Sequence, residues 1–139
     1  MTALTRKILF VDDEELQGKL MQRMLAGMGY DAKVAKNAKE ALEILDNEEF
    51  PLIITDLSMP EMNGIELCKR IRKFNSESFI YAFSGYLAEF DFEKLEGFGF
   101  NGHLRKPITS EVLKCAIEGA FEKIDKSKKL ANHITKTVN

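Results

Sequence analysis

What most constrains this chain is a strict alternation of short apolar runs with stretches of helical period, kept up along nearly all of its 139 residues. "KILFV" at Lys7–Val11 is a continuous apolar strand. Glu14–Met28 follows with Leu16, Leu20, Met24 and Met28 four apart, Met21 and Leu25 beside them, and Gly29 as a stop. Asp31–Ala35 is a shorter, more polar strand, suited to a sheet edge. Asn37 with Glu40 three residues on marks a helix start, and Ala38, Ala41, Leu42 and Leu45 form its stripe. Pro51 precedes a third strand, Leu52–Thr55, and the helix after Asn63 carries Leu67, Cys68, Ile71 and Phe74. Phe79–Phe83 reads as a fourth strand. A looser helical segment over about Leu87–Glu96 is broken by Gly97 and Gly99, and Gly102–Arg105 is a short fifth strand. Thr109 caps a last helix with Leu113, Ile117, Ala120 and Ile124 on one face.

Strands that alternate with helices predict an α/β fold, a doubly wound parallel sheet covered on both sides. Strands buried on both faces should be apolar without interruption, as the first, third and fourth are. Right-handed crossovers then leave few topologies. The length suits one domain with a core of its own.

In such a sheet ligands bind beyond the carboxyl ends of the strands, so the residues just past each strand matter most. Strand one is followed by Asp12 and Asp13, strand three by Asp56, strand four by Ser84, and strand five by Lys106 and Pro107. Each has an ordinary reading alone: a helix cap, a turn former, a loop start, a strand exit. Together they put three carboxylates, a hydroxyl and an ammonium on one rim. Three acids that close repel one another unless a cation joins them. A hard divalent ion with oxygen ligands, Mg²⁺ above all, meets that need and is the usual partner of a phosphoryl group. Lys106 adds a point charge for Asp56 or for a phosphate oxygen. The set suits a phosphoryl group made, held and lost on a carboxylate nucleophile.

At these residues the sequence resembles the response-regulator receiver domain of two-component signalling. "ILFVDDE" at 8–14, "DLSMPEMNG" at 56–64, "SG" at 84–85 and "KP" at 106–107 follow that family's pattern in order and spacing. The resemblance covers roughly Lys7–Lys123. It implies a flavodoxin-like five-stranded sheet of order 2-1-3-4-5 with five helices, and a receiver domain over 1–125. It also implies Asp56 as phosphoacceptor, and Asp12, Asp13, Asp56 and the Ser58 backbone carbonyl as Mg²⁺ ligands. Ser84 would be the switch hydroxyl, Lys106 the phosphate-reading lysine, and the Lys106–Pro107 peptide cis. A histidine kinase or phosphotransfer protein would be the donor, with a downstream protein partner and a possible homodimer on phosphorylation. Such a module is not an enzyme acting on outside substrates; it catalyses only its own phosphoryl transfer and slow autodephosphorylation.

Three departures belong to this chain. His103 stands three residues before the lysine where the family usually has Tyr or Phe; it reads as an exposed edge-strand residue, or as a source of pH sensitivity. Gly85 follows Ser84 where Ala is common. Ser58 and Tyr86 lie two residues past Asp56 and Ser84, where they should tune the lifetime of the phosphorylated state.

The segment 83–100 holds five of the ten phenylalanines, more than one short helix can cover, so some should surface near the fourth helix as a partner site. The segment 126–139 is polar and either prolongs the last helix or frays as a tail, with the frayed tail the leading expectation.

Composition narrows the alternatives. With 20 basic and 22 acidic residues and no basic stripe, direct nucleic-acid binding is not expected. Apolar runs are too short for a membrane span, and "MTALTRKILFV" runs into "DDEE", unlike a signal peptide, so a cytoplasmic location is expected. Cys68 and Cys115 lack metal-ligand spacing and read as buried free thiols. A haloacid-dehalogenase-like phosphatase would carry D-x-D after strand one, where "VDDEE" stands. A flavodoxin-like electron carrier would need a hydroxyl-rich phosphate loop there. A receiver-like interaction module indifferent to phosphate is the remaining alternative.

Overall fold

The computed structural model describes residues 6–85 and 92–138, the last seven of these by backbone alone. Five parallel strands, β1 (Lys7–Val11), β2 (Asp31–Ala35), β3 (Leu52–Asp56), β4 (Phe79–Ser84) and β5 (Gly102–Arg105), form one sheet of order β2-β1-β3-β4-β5. Between and after them run α1 (Glu15–Gly27), α2 (Ala38–Leu45), α3 (Gly64–Phe74), α4 (Phe92–Phe98) and α5 (Ser110–Val138).

The sheet separates two cores. Leu9, Val11, Ile53, Ile80 and Ala82 face one side, where α2, α3 and α4 bring Ala41, Leu67, Cys68, Ile71 and Leu95. Ile8, Phe10, Ile54, Tyr81 and Phe83 face the other, where α1 and α5 bring Met21, Leu25, Leu113, Ile117, Phe121 and Ile124. β3 is buried along its whole length, whereas β2 alternates at the edge, because only an inner strand has both faces covered.

Local chemistry sets the helix starts. Asn37 Oδ1 accepts the Glu40 N–H at 2.8 Å and Asn63 Oδ1 the Glu66 N–H at 2.9 Å, while Thr109 Oγ1 takes the Val112 N–H at 3.2 Å. Gly29, at φ +93°, ends the turn after α1 in a conformation that suits glycine.

Four expectations are corrected. Leu16 and Leu20 lie on the outer face of α1, 82% and 54% exposed, and the helix docks through Gly18, Met21 and Leu25. Gly18 decides this: a Cβ there would stand 2.9 Å from Val34 Cγ1, so the glycine lets α1 settle close on β2 and turns the leucines outward. Phe74, the last residue of α3, is exposed, beyond the buried Leu67–Cys68–Ile71 stripe. Cys115 is exposed, since its place on α5 lies off the Leu113–Ile117–Ile124 stripe; Cys68 is buried as expected. Finally, residues 126–138 continue α5 rather than fray. Lys, Leu and Ala are strong helix formers with no Gly or Pro among them, and Lys126 pairs with Glu122 one turn back at 3.5 Å.

Of the five phenylalanines in 83–100, Phe83 and Phe100 are buried and Phe92 is 37% exposed. Phe90 and the first part of the expected Leu87–Glu96 helix fall outside the described residues; α4 is described from Phe92. Among the described residues no helix is long and apolar enough to cross a membrane.

Candidate functional site

Strand register brings the acids together. Val11 on β1 pairs with Thr55 on β3, so Asp12 and Asp56, each one residue further, leave neighbouring strands side by side. Asp56 in turn pairs with Phe83 on β4, and Ser84 with Arg105 on β5, one residue before Lys106. Carboxylate oxygens of Asp12, Asp13 and Asp56 lie within 4.8 Å of one another. Asp12 and Asp56 are buried and Asp13 is exposed, which leaves the group open on one side.

Each buried carboxylate is oriented from its own loop. Asp12 Oδ1 accepts the Glu14 N–H at 2.9 Å, and Asp56 Oδ1 the Ser58 N–H at 3.2 Å. The free edges point at Lys106, whose Nζ lies 3.2 Å from Asp56 Oδ2 and 3.5 Å from Asp12 Oδ2. Lys106 also rests over the Phe83 ring, 5.1 Å from its centroid, a support for a cation at the rim. The Lys106–Pro107 peptide is cis, and the Lys106 N–H donates to the Ser84 carbonyl at 3.1 Å.

Burial raises the Asp12 pKa above the ordinary carboxylate value. The Glu14 N–H and Lys106 pull it down, Asp56 pushes it up, and the net shift is upward. For Lys106, burial acts to lower the pKa, but Asp12 and Asp56 more than reverse this and hold it above the usual lysine value. Three carboxylates and one ammonium carry two net negative charges when all are ionised, which one divalent cation matches. The donors are hard oxygens at the mouth of a rim with room for water, so the residues fit a Mg²⁺-sized ion that keeps part of its hydration shell.

The other expected residues are placed as follows. Ser84 is buried at the end of β4, 4% exposed. Ser58 is exposed in the loop after β3. His103 is exposed on β5, its ring centroid 5.0 Å from that of Phe92. Tyr86 lies outside the described residues.

Two contributors had no role in the sequence reading. Gly64 opens α3 against the loop after β3: its N–H donates to the Leu57 carbonyl at 3.0 Å, and a Cβ would stand 2.2 Å from the Asp56 carbonyl oxygen. The "NG" pair after the acid was the available signal. Phe83, beneath Lys106, could be found only from the pairing of β4 with β3 and β5.

The Response regulator receiver domain family matches residues 8–118. An uncharacterized 14.6 kDa protein in the sodA1 3′ region of Leptolyngbya boryana is 39% identical over 103 residues, 73% of this chain and 79% of that one. The sensor protein EvgS of Escherichia coli is 36% identical over 107 residues, 77% of this chain but only 9% of EvgS. Among solved structures, the Vibrio cholerae chemotaxis response regulator CheY4 aligns at a TM-score of 0.76 and 27% identity, over 84% of this chain and 98% of that one. With the sheet order and the family match in agreement, the chain belongs to the response regulator receiver domains of two-component signalling.

Proposed function

We propose that this chain is a phosphorylation-dependent switch whose acceptor is Asp56. One observation carries the reading: a buried, hydrogen-bonded aspartate lies 3.2 Å from Lys106 and within 4.8 Å of two further carboxylates at the open end of the sheet. Asp12, Asp13, Asp56 and the Ser58 carbonyl would hold Mg²⁺, which when bound neutralises charge on the transferred phosphoryl oxygens.

The chain's own residues set up the transfer. The Ser58 N–H fixes one oxygen of Asp56 and leaves the other for attack. That oxygen forms a bond to phosphorus as the bond from phosphorus to a donor nitrogen breaks, its electron pair leaving with the imidazole of a histidine kinase or phosphotransfer protein. Lys106, already at the attacking edge, then pairs with a phosphoryl oxygen, and the Ser84 hydroxyl donates to another. Hydrolysis by water reverses the state, and Ser58 and Tyr86, two residues past Asp56 and Ser84 in the sequence, tune its rate. Leu16 and Leu20 on α1 offer exposed apolar area beside the rim for the donor.

Output follows from a state that binds phosphate better than its alternative. An apolar groove of about 850 Å³ runs between β5 and α5, lined by His103, Ile108, Val112 and Ala116 among others. That face, with Phe92, is where a downstream protein or a second copy would dock, and His103 takes the place of the usual aromatic reporter. A cytoplasmic location belongs to the same reading.

The test is intact mass after incubation with Mg²⁺ and acetyl phosphate, beside Asp56→Asn. One added phosphoryl group is expected on the wild type, and none without Mg²⁺ or in the variant. A folded wild type left unlabelled by both acetyl phosphate and a histidine kinase would defeat the reading in favour of phosphate-independent binding.

A further inference from the structure

Arg72, near the end of α3, uses all five of its N–H groups. Nε and Nη2 both donate to the Gly99 carbonyl, at 2.9 and 2.8 Å. Nη2 also reaches Asn101 Oδ1 at 2.8 Å, while Nη1 donates to the Ser78 carbonyl at 2.7 Å and the Asn75 carbonyl at 3.2 Å. The acceptors are neutral carbonyl and carboxamide oxygens. They come from the exit of α3, the entry to β4, the exit of α4 and the entry to β5.

Neighbouring contacts tighten the same point. Asn101 Oδ1 accepts the Ile80 N–H at 2.8 Å, and the Asn101 N–H donates to the Ile80 carbonyl at 2.8 Å. Cys68 Sγ reaches the Phe98 carbonyl at 3.5 Å, and Lys69 Nζ lies 4.7 Å from the centroid of the Phe98 ring. At Gly99, φ is +113° and a Cβ would meet Arg72 Cγ at 2.8 Å, so both backbone and space call for glycine there. The C-terminal turn of α4 is thus fixed to α3 and to the foot of two strands. A helix in this fold runs antiparallel to its strands, so the other end of α4 lies toward the rim that holds Asp56. There Phe92 is 37% exposed and leans on the edge-strand ring of His103.

We infer that Arg72 is the pivot of α4: the helix tilts about its Gly99 end, and its displacement grows toward Phe92 when the rim changes state. Arg72 is a positioning residue, remote from the chemistry, and it works through a fork of donors rather than through charge alone. The tilt rests on the switch proposed above; the anchoring does not.

The test uses amide exchange and amide chemical shifts of the full chain, wild type beside Arg72→Lys and Arg72→Met. In the unliganded protein both variants should speed exchange at Gly99, Phe100 and Asn101 at least tenfold, with the Ile53 and Ile54 amides of the central strand unchanged as the control for folding. In the wild type, Mg²⁺ with beryllofluoride, a phosphoryl stand-in, should shift Phe92–Leu95 most and Gly99–Asn101 least; in the variants the change should spread along the whole helix. Arg72→Lys with wild-type exchange at Gly99–Asn101 would overturn the pivot, as would equal shifts from Phe92 to Asn101 in the wild type. The unliganded arm decides the anchor even if intact mass shows no phosphoryl uptake, so the two readings fail separately.

Discussion

Asp12 is 1% exposed, and its burial favours the neutral form even with Lys106 at 3.5 Å. The folded state therefore holds this proton more tightly than the unfolded chain does. In the absence of divalent ions, stability should fall as pH rises from the ordinary carboxylate value through the raised one, and stay lowered above it. Asp12→Asn removes that cost. The variant should melt higher than wild type at pH 7 in EDTA, by about 1 kcal/mol or a few degrees, and should lose any stabilisation by Mg²⁺. Thermal melts at several pH values, with EDTA and with Mg²⁺, would check both; a variant that melts lower in EDTA would show that the Lys106 pairing outweighs desolvation. The gathering of Asp12, Asp13, Asp56 and Lys106 was legible in the sequence because parallel strands all end at one rim. Their precise support was not. Phe83 under Lys106 depends on strand pairing, and the acceptors of Arg72 are three backbone oxygens and the Asn101 carboxamide, up to 29 residues away.

At the scale of single elements, α3 shows how tightly a helix start can be tied to the acceptor. Gly64→Ala would drive a Cβ into backbone, 2.2 Å from the Asp56 oxygen and 3.0 Å from Leu57 Cα, with no flexible side chain to yield. A loss of about 2–3 kcal/mol is expected in urea unfolding, together with slower labelling of Asp56 by acetyl phosphate; an unchanged midpoint would mean the loop has room to shift. Strand positions and helix caps were readable because their causes are local: continuous apolar runs, and side-chain oxygens three residues from an N–H. The facing of α1 was not. Leu16 and Leu20 match a helical stripe as well as Met21 and Leu25 do, and the residue that chooses between them is Gly18, which carries no hydropathic signal. Buried leucines at 16 and 20 were thus a reasonable period read on the wrong side of the helix.

For the molecule as a whole, the extent of α5 is the main surprise. Ile124 is the last residue described as buried; residues 126–131 beyond it are exposed, and Lys126 pairs with Glu122. A chain ended after Asp125 should keep its free energy of unfolding in urea to within about 0.5 kcal/mol and its Asp56 labelling; a larger drop would place packing in the removed segment. The sheet between the two cores has a consequence of its own. Ile71 lies in one core and Ile117 in the other, and no described residue belongs to both groupings. Ile71→Val and Ile117→Val should each cost about 1 kcal/mol, and the double variant should show a coupling energy within about 0.5 kcal/mol of zero. A wall of five strands would then make this small protein two thermodynamically independent compartments, one free to be rebuilt while the other keeps its packing.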